Sequence, residues 1–189
     1  AVDGRHRVTR LGNRLARLPV DPRIGRMLIA AAETGCLREV VVIAAALSVQ
    51  DPRERPADRR QEADEAHALF ADERSDFMAF LKLWAFIEEN RKHLTRRKFE
   101  RLCRQYFLSP TRVREWHDVQ VQLRVQLHEL GYRDNEQDAD YATLHRALLS
   151  GLLSHVGMRT QGDARDYLGA RNSRFFVFPG SGLYGKQPK

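Results

Sequence analysis

Residues 21–48 read DPRIGRMLIAAAETGCLREVVVIAAALS. Asp21 offers an oxygen to free N–H groups, and Pro22 stands where a first-turn proline is tolerated. Ile24, Met27, Leu28 and Ala31 then recur at helical spacing on one face. Gly35 predicts the end of this helix, because glycine accepts the left-handed conformation found there. In the next run, 37–49, the only polar members are Arg38, Glu39 and Ser48. A helix that is apolar nearly all round needs cover on every side. This one is shorter than the roughly 20 residues that span a bilayer. The pair predicts the buried centre of a mainly α-helical domain.

Downstream, Asp51-Pro52 and Pro56 mark a loop, and 58–70 reads as a polar helix with little apolar face. Phe77, Phe80, Leu81, Trp84 and Ile87 form a helical stripe, capped by Ser75 or Asp76, and read as core. Thr95 is placed to cap the next helix. Its inward face carries Phe99, Leu102, Cys103 and Tyr106, and its outward face a run of Arg and Lys. Ser109-Pro110 opens the longest helix, about 110–130, with Val113, Trp116, Val119 or Gln120, Leu123, Leu127 and Leu130 on one stripe. Gly131 ends it, and 132–139 is a polar loop. A last helix over 141–155 turns Leu144, Leu148 and Leu152 inward. Gly151 in its middle costs about 1 kcal/mol against Ala, which points to a close helix contact.

The pattern then changes period. Segments 156–159, 167–170 and 174–178 read as strands, with a tight loop built on Pro179, Gly180, Gly182 and Gly185. Upstream of Asp21, 8–11 reads as a short strand. Gly12 leads into a short helix carrying Leu15 and Leu18, stopped by Pro19. With the turn at Asp3-Gly4, this is similar to the last hairpin and helix of a winged-helix unit.

The chain has 189 residues, 42% apolar, with a formal net charge of +7. That balance favours a polyanionic partner, nucleic acid before membrane. From Arg91 to Arg114 nine Lys/Arg face one acid, Glu100, whereas from Asp51 to Asp76 nine acids face five Arg. Such a run is a solvated face or, with aromatics between its helices, a nucleic-acid surface. Cys36 and Cys103 sit in apolar helical patterns and read as buried free thiols of a reducing, cytoplasmic protein. No signal peptide or transmembrane run is recognisable, so no membrane partner is expected. The chain opens without Met and in mid-pattern, and is expected to be part of something longer.

Residues 64–67 spell Asp-Glu-Ala-His, the letters of a helicase motif that handles metal and ATP. In that role they follow an apolar strand and accompany a Walker A loop, G-x-x-x-x-G-K-[ST]. Here they lie in a polar helical run and the sequence has no Walker A loop, so the letters are read as coincidence. Gly180-Ser181-Gly182 reads as a turn and not a phosphate fingerprint. The histidines show no ligand spacing with the cysteines, so no metal is expected. No Ser/His/Asp constellation is recognisable, so no catalytic residue is assigned. The turn 169–174 brings Arg171, Asn172 and Arg174 together between strands. That suits phosphate and base-edge contacts, and an ordinary exposed hairpin equally.

Several stretches together resemble the DEAH-box RNA helicases. Val8-Thr-Arg-Leu-Gly12 and Leu18-Pro-Val-Asp-Pro22 resemble the junction of their winged helix with the helical "ratchet" (HA2) domain. Met27-Leu-Ile29, Ala44-Ala-Ala-Leu-Ser-Val49, Arg55-Pro56, residues 76–87, Tyr106-Phe-Leu-Ser109, Val113-Arg-Glu-Trp116 and residues 118–123 continue the likeness. Residues 149–158, Tyr167-Leu-Gly-Ala-Arg-Asn172 and Phe178-Pro-Gly-Ser-Gly-Leu183 are most similar to the bacterial HrpA-type branch, where it enters its OB-fold.

The resemblance implies a winged-helix remnant at 1–20, a helical ratchet domain at 21–155 and the start of an OB-fold at 156–189. It implies a parent ATP-dependent RNA helicase whose two RecA-like domains, upstream, hold ATP and Mg²⁺. This segment itself would carry no cofactor. It would line the single-stranded RNA channel and couple RecA-domain motion to strand movement. Arg112, Arg114, Arg171, Asn172 and Arg174 are the expected RNA contacts. Ser181 is expected on sugar or base, with Lys186 and Lys189 as weaker contacts. The alternative is an interaction module that docks an acidic partner or activator protein on the basic helix at 96–104.

Overall fold

The computed structural model describes residues 2–160 and 166–186. Among them, eight α-helices precede three short strands. The helices are α1 (Arg10–Leu15), α2 (Pro22–Thr34), α3 (Leu37–Ser48), α4 (Arg60–Ala68), α5 (Asp76–His93), α6 (Arg96–Gln105), α7 (Pro110–Glu129) and α8 (Tyr141–Leu152). The strands are β1 (Met158–Arg159), β2 (Asp166–Leu168) and β3 (Arg174–Phe176). The protein is thus mainly helical with a small antiparallel sheet, as the periodicity predicts. The chain forms two compact units. One holds the described residues up to Ser48 with Val119–Ser154, and the other holds Val49–Asp118 with the described residues from His155 onward.

The first unit is built on α2, α3 and α8. Asp21 caps α2 by accepting the Arg23 N–H at 2.8 Å, and Gly35 ends it at φ 73°. Met27, Leu28, Ile29 and Ala31 of α2 are fully buried, as are Val40, Ile43, Ala44 and Ala45 of α3. Each large apolar side chain so buried stabilises the fold by about 1.5–3 kcal/mol. Leu144 and Leu148 face this core from α8. Gly151 is the contact that its place in the helix predicts. A Cβ there would fall onto the Arg23 carbonyl oxygen and stand 2.7 Å from Met27 Cγ. Leu123 and Leu127 of α7 are buried, and Gly131 ends that helix at φ 90°. The polar loop that follows does more than connect. Asn135 accepts the free Arg38 N–H at the start of α3 and donates to Glu39, both at 2.9 Å.

The second unit pairs segment 52–54 with 107–109. Glu54 N donates to the Phe107 carbonyl and Ser109 N to that of Pro52, each at 2.8 Å. Trp116 is fully buried, with Trp84 at 5.0 Å and Phe80 at 6.0 Å between ring centroids. In the sheet, β2 lies between β1 and β3. Tyr167 faces Arg159 on one side and Phe175 on the other.

Several expectations are corrected. Segment 8–11 is no strand. A single bridge joins Val2 and Val8, then Thr9 caps α1 by accepting the Gly12 N–H at 3.1 Å, so helix begins at Arg10. The seam of α5 is Ala79, Leu83 and Ile87, and Phe77, Phe80, Leu81 and Trp84 are half-buried on its flanks. Rings of that size pack beside the seam and small or branched side chains fit in it. Cys103 alone is buried on α6, with Phe99, Leu102 and Tyr106 half-buried. Thr95 holds the N-cap position of α6 without a side-chain cap bond. The last helix stops at Leu152 and tightens into a 3₁₀ turn over Leu153–His155.

The close approach at Gly151 yields a prediction. A helical Gly→Ala change ordinarily adds about 1 kcal/mol. Here Gly151→Ala is expected to destabilise by about 1–3 kcal/mol because α8 must back away from Arg23. Urea unfolding measures it, and an unchanged or raised midpoint contradicts the contact.

Candidate nucleic-acid interface

The sheet and the loop after it present two sets of side chains. The first is the turn between β2 and β3. Its 3₁₀ turn, Ala170–Asn172, places Arg171 at φ 56° and Asn172 at φ 59°. Asparagine adopts this left-handed region readily, whereas for arginine it is strained. Gly169 N donating to Ser173 O at 2.7 Å and Ser173 Oγ donating to Ala170 O at 2.8 Å hold the turn closed. Arg171 and Asn172 stay exposed. Backbone strain held this way is often found where a side chain must be presented. Arg174 Nη1 lies 3.3 Å from Asp166 Oδ2, with the Arg174 side chain 74% exposed and that of Asp166 only 7%. Thr160 Oγ1 also donates to Asp166 at 2.6 Å. The buried carboxylate is therefore shared, and most guanidinium donors of Arg174 face solvent.

The second set is a cleft of about 430 Å³ lined by Arg159, Tyr167, Phe176, Val177, Pro179, Tyr184, Gly185 and Lys186. Phe176 is 70% exposed and Tyr184 56%. Exposed aromatic rings between cations are the means by which proteins hold unpaired bases and their phosphates. Arg159, Tyr167, Phe176 and Tyr184 were not legible as site residues. Arg159, Tyr167 and Phe176 fall in segments read as strands and Tyr184 in the glycine loop, and their residue types alone assign none of them a site role.

The other expected contacts lie elsewhere. Arg112 is occupied, donating to the Asp51 carbonyl at 3.3 Å with Glu54 at 4.0 Å, and it braces the 51–54 segment. Arg114 is exposed and lines a different cleft with Arg91, Arg96, Leu94, Phe99, Pro110 and Val113. The Ser181 hydroxyl accepts the Leu183 N–H at 3.0 Å, so it shapes its own turn. Lys186 joins the aromatic cleft. Lys189 lies outside the described residues.

The glycine loop is a clamp. Gly182 N donates to Asp76 Oδ1 at 2.9 Å at the start of α5, and a Cβ at Gly182 would stand 2.7 Å from the Asp72 carbonyl. Residues 64–67 lie within α4. Asp64 takes both Arg55 donors at 2.7 Å, which hold its carboxyl below the usual range. His67 Nε2 lies 3.2 Å from the Phe107 carbonyl, so that nitrogen carries the proton, and burial lowers the pKa of the ring. Burial pushes the Cys103 thiol up to about 11 and raises that of Cys36, which leaves both as thiols. Among the described residues no group of three His, Cys, Asp or Glu could hold a metal ion. No helix among them is long and apolar enough to cross a membrane.

The ratchet-like helicase-associated domain (HA2) family matches residues 21–109. The chain is similar to the ATP-dependent RNA helicase HrpA of Escherichia coli, 51% identical over 184 residues, which is 97% of this chain and 14% of that protein. It is 47% identical over 182 residues to the HrpA homologue of Haemophilus influenzae, covering 96% of the chain and 14% of that protein. The DExH-box ATP-dependent RNA helicase DExH1 of Arabidopsis thaliana is 35% identical over 157 residues, 79% of the chain and 16% of its own length. The chain thus spans about a seventh of the HrpA relatives it matches.

His67 yields a prediction. Its folded pKa lies below the ordinary 6.5, so the unfolded chain binds the extra proton first as pH falls. Stability should be full above that value and decline as pH drops through it toward the folded pKa. His67→Gln should remove this component while leaving the carboxylate-driven loss at lower pH. Urea midpoints measured from neutral pH to about pH 5 check it, and a midpoint that rises on acidification contradicts it.

Proposed function

The chain belongs to the HrpA-type branch of the DEAH-box RNA helicases, and from that premise we propose that it is an accessory, RNA-holding region of a helicase. In this reading single-stranded RNA lies across the sheet. Tyr167 and Tyr184 stack on unpaired bases beside Arg159 and Lys186, which neutralise the flanking phosphates, and Phe176, paired with Asp166, offers a further ring on the other face at the edge of the sheet. Arg171 and Arg174 position the backbone, and Asn172 reaches sugar or base edge. The helices serve as wall and lever. They line the strand's channel and couple the motion of RecA-like domains in the same parent chain to movement of the RNA. ATP and Mg²⁺ bind in those domains, where hydrolysis takes place in a cytoplasmic enzyme. The residues of the present chain bind and guide, without breaking bonds.

The observation that carries this reading is the aromatic cleft, with two exposed rings beside Arg159 and Lys186. An unpaired base that stacks on such rings removes their apolar faces from water. The start of an OB-fold, implied by the family likeness, is consistent with strands that present such a surface. No observation among the described residues favours an activator protein over RNA.

Fluorescence anisotropy with a labelled oligouridylate tests it. The chain should bind with strong salt dependence. Phe176→Ala and Tyr184→Ala should each weaken binding by about 1–3 kcal/mol. Both rings are exposed, so folding should be unaffected. Unchanged affinity in the double variant would remove the cleft from the function.

A further inference from the structure

The outward face of α6 differs in kind from the sheet. Arg97, Arg101 and Arg104 recur at spacings of four and three residues and so share one helical face, with Lys98 beside them. All four are exposed. They stand opposite Phe99, Leu102 and Cys103, which turn inward. The acid Glu100 is engaged at the flank, 3.1 Å from Arg96 and 3.9 Å from Arg104. Among the described residues the side chains of Arg97, Lys98 and Arg101 enter no ion pair or hydrogen bond, and the ion pairs of this helix involve Arg96, Arg104 and Glu100. Every aromatic ring of this segment lies on the other face, so the stripe has nothing on which to stack an unpaired base.

A cationic surface without rings responds to the density and spacing of phosphates and not to bases. A duplex carries about one charge per 1.7 Å of axis, both strands counted. The stripe from Arg97 to Arg104 runs about 10 Å along the helix at 1.5 Å per residue. We propose that α6 is a second RNA-contact surface, one that grips the phosphate backbone of paired RNA, whereas the sheet holds the unpaired strand. This rests on the RNA-holding reading above and adds a division of labour to it. Arg97, Arg101 and Arg104 make the phosphate contacts, with Lys98 adding field strength.

The test compares the chain with its triple variant Arg97→Gln, Arg101→Gln and Arg104→Gln. The probes are a blunt-ended RNA duplex and an oligouridylate. The three positions are exposed, and circular dichroism with a thermal melt confirms that the variant folds as the parent does. Duplex affinity at low salt should fall about tenfold or more, and its log–log salt slope should shrink by about 2–3, near 0.9 per lost contact. Oligouridylate binding should change less than about threefold, since its contacts lie on the sheet. Unchanged duplex binding overturns the proposal. Equal losses for both probes also overturn it, because the stripe would then be general positive charge. Duplex binding displaced by polyglutamate, with no loss in the triple variant, overturns it too. The Phe176→Ala, Tyr184→Ala variant run in parallel separates the two readings. It should lose oligouridylate and keep duplex, and its failure to do so counts against the sheet and not against α6.

Discussion

Three strands of two or three residues make too little ladder to stand alone. What fixes the end of this sheet is a backbone contact distant in sequence, the Gly182 N–H on the Asp76 carboxylate at the start of α5. The approach is close enough that only glycine fits beside the Asp72 carbonyl. The same Asp72 is tied to Lys82 at 3.0 Å, and it accepts the Arg74 N–H at 2.9 Å, so the platform under the loop is itself rigid. With the loop held, the chain from Phe176 to Lys186 has a defined course and its rings stay open to solvent. The candidate interface thus includes a segment held by this clamp as well as by strand pairing.

The two basic surfaces of this unit follow from what accompanies the charge. On the sheet, cations alternate with rings that the short strands leave uncovered. On α6 the rings face inward and the cations face outward, as the strong amphipathic pattern of that helix requires. The acidic stretch that supplies Asp51, Asp64 and Asp72 is meanwhile occupied within the fold, pairing with Arg53, Arg55 and Lys82. These three carboxylates brace loops, while Glu54, Asp58, Glu65 and Glu73 of the same stretch are exposed.

Much of the fold was legible because its determinants are local. Asp21, Pro22 and Gly35 bound α2 through caps that act within four residues, and the apolar run of α3 has no other stable place than a core. Gly151 was legible as a contact because glycine in a helix is otherwise unfavourable. Of the candidate site, the turn carrying Arg171, Asn172 and Arg174 was legible, because a glycine followed by Arg, Asn and Arg between strand-like segments marks an exposed turn. Arg112 and Arg114 lie two residues apart on one helix, about 200° around it, and so meet different surroundings. One braces segment 51–54 and the other is open, a difference set by what covers each face. The turn that Ser181 closes by accepting the Leu183 N–H was not legible, since a serine hydroxyl can serve a turn or a ligand alike. The exposure of Phe176 and Tyr184 was not legible, because it depends on how much sheet surrounds them, which residue type alone does not reveal.

The central claim is that unpaired RNA lies on the sheet of this chain, between the strained turn and the aromatic cleft. Photo-crosslinking of a 4-thiouridine oligonucleotide to the chain, with the modified peptides mapped by mass spectrometry, tests it most directly. Crosslinks at Tyr167, Phe176 or Tyr184 are the predicted result. Crosslinks confined to α2, α3 or α8, with the sheet unmodified, would contradict it.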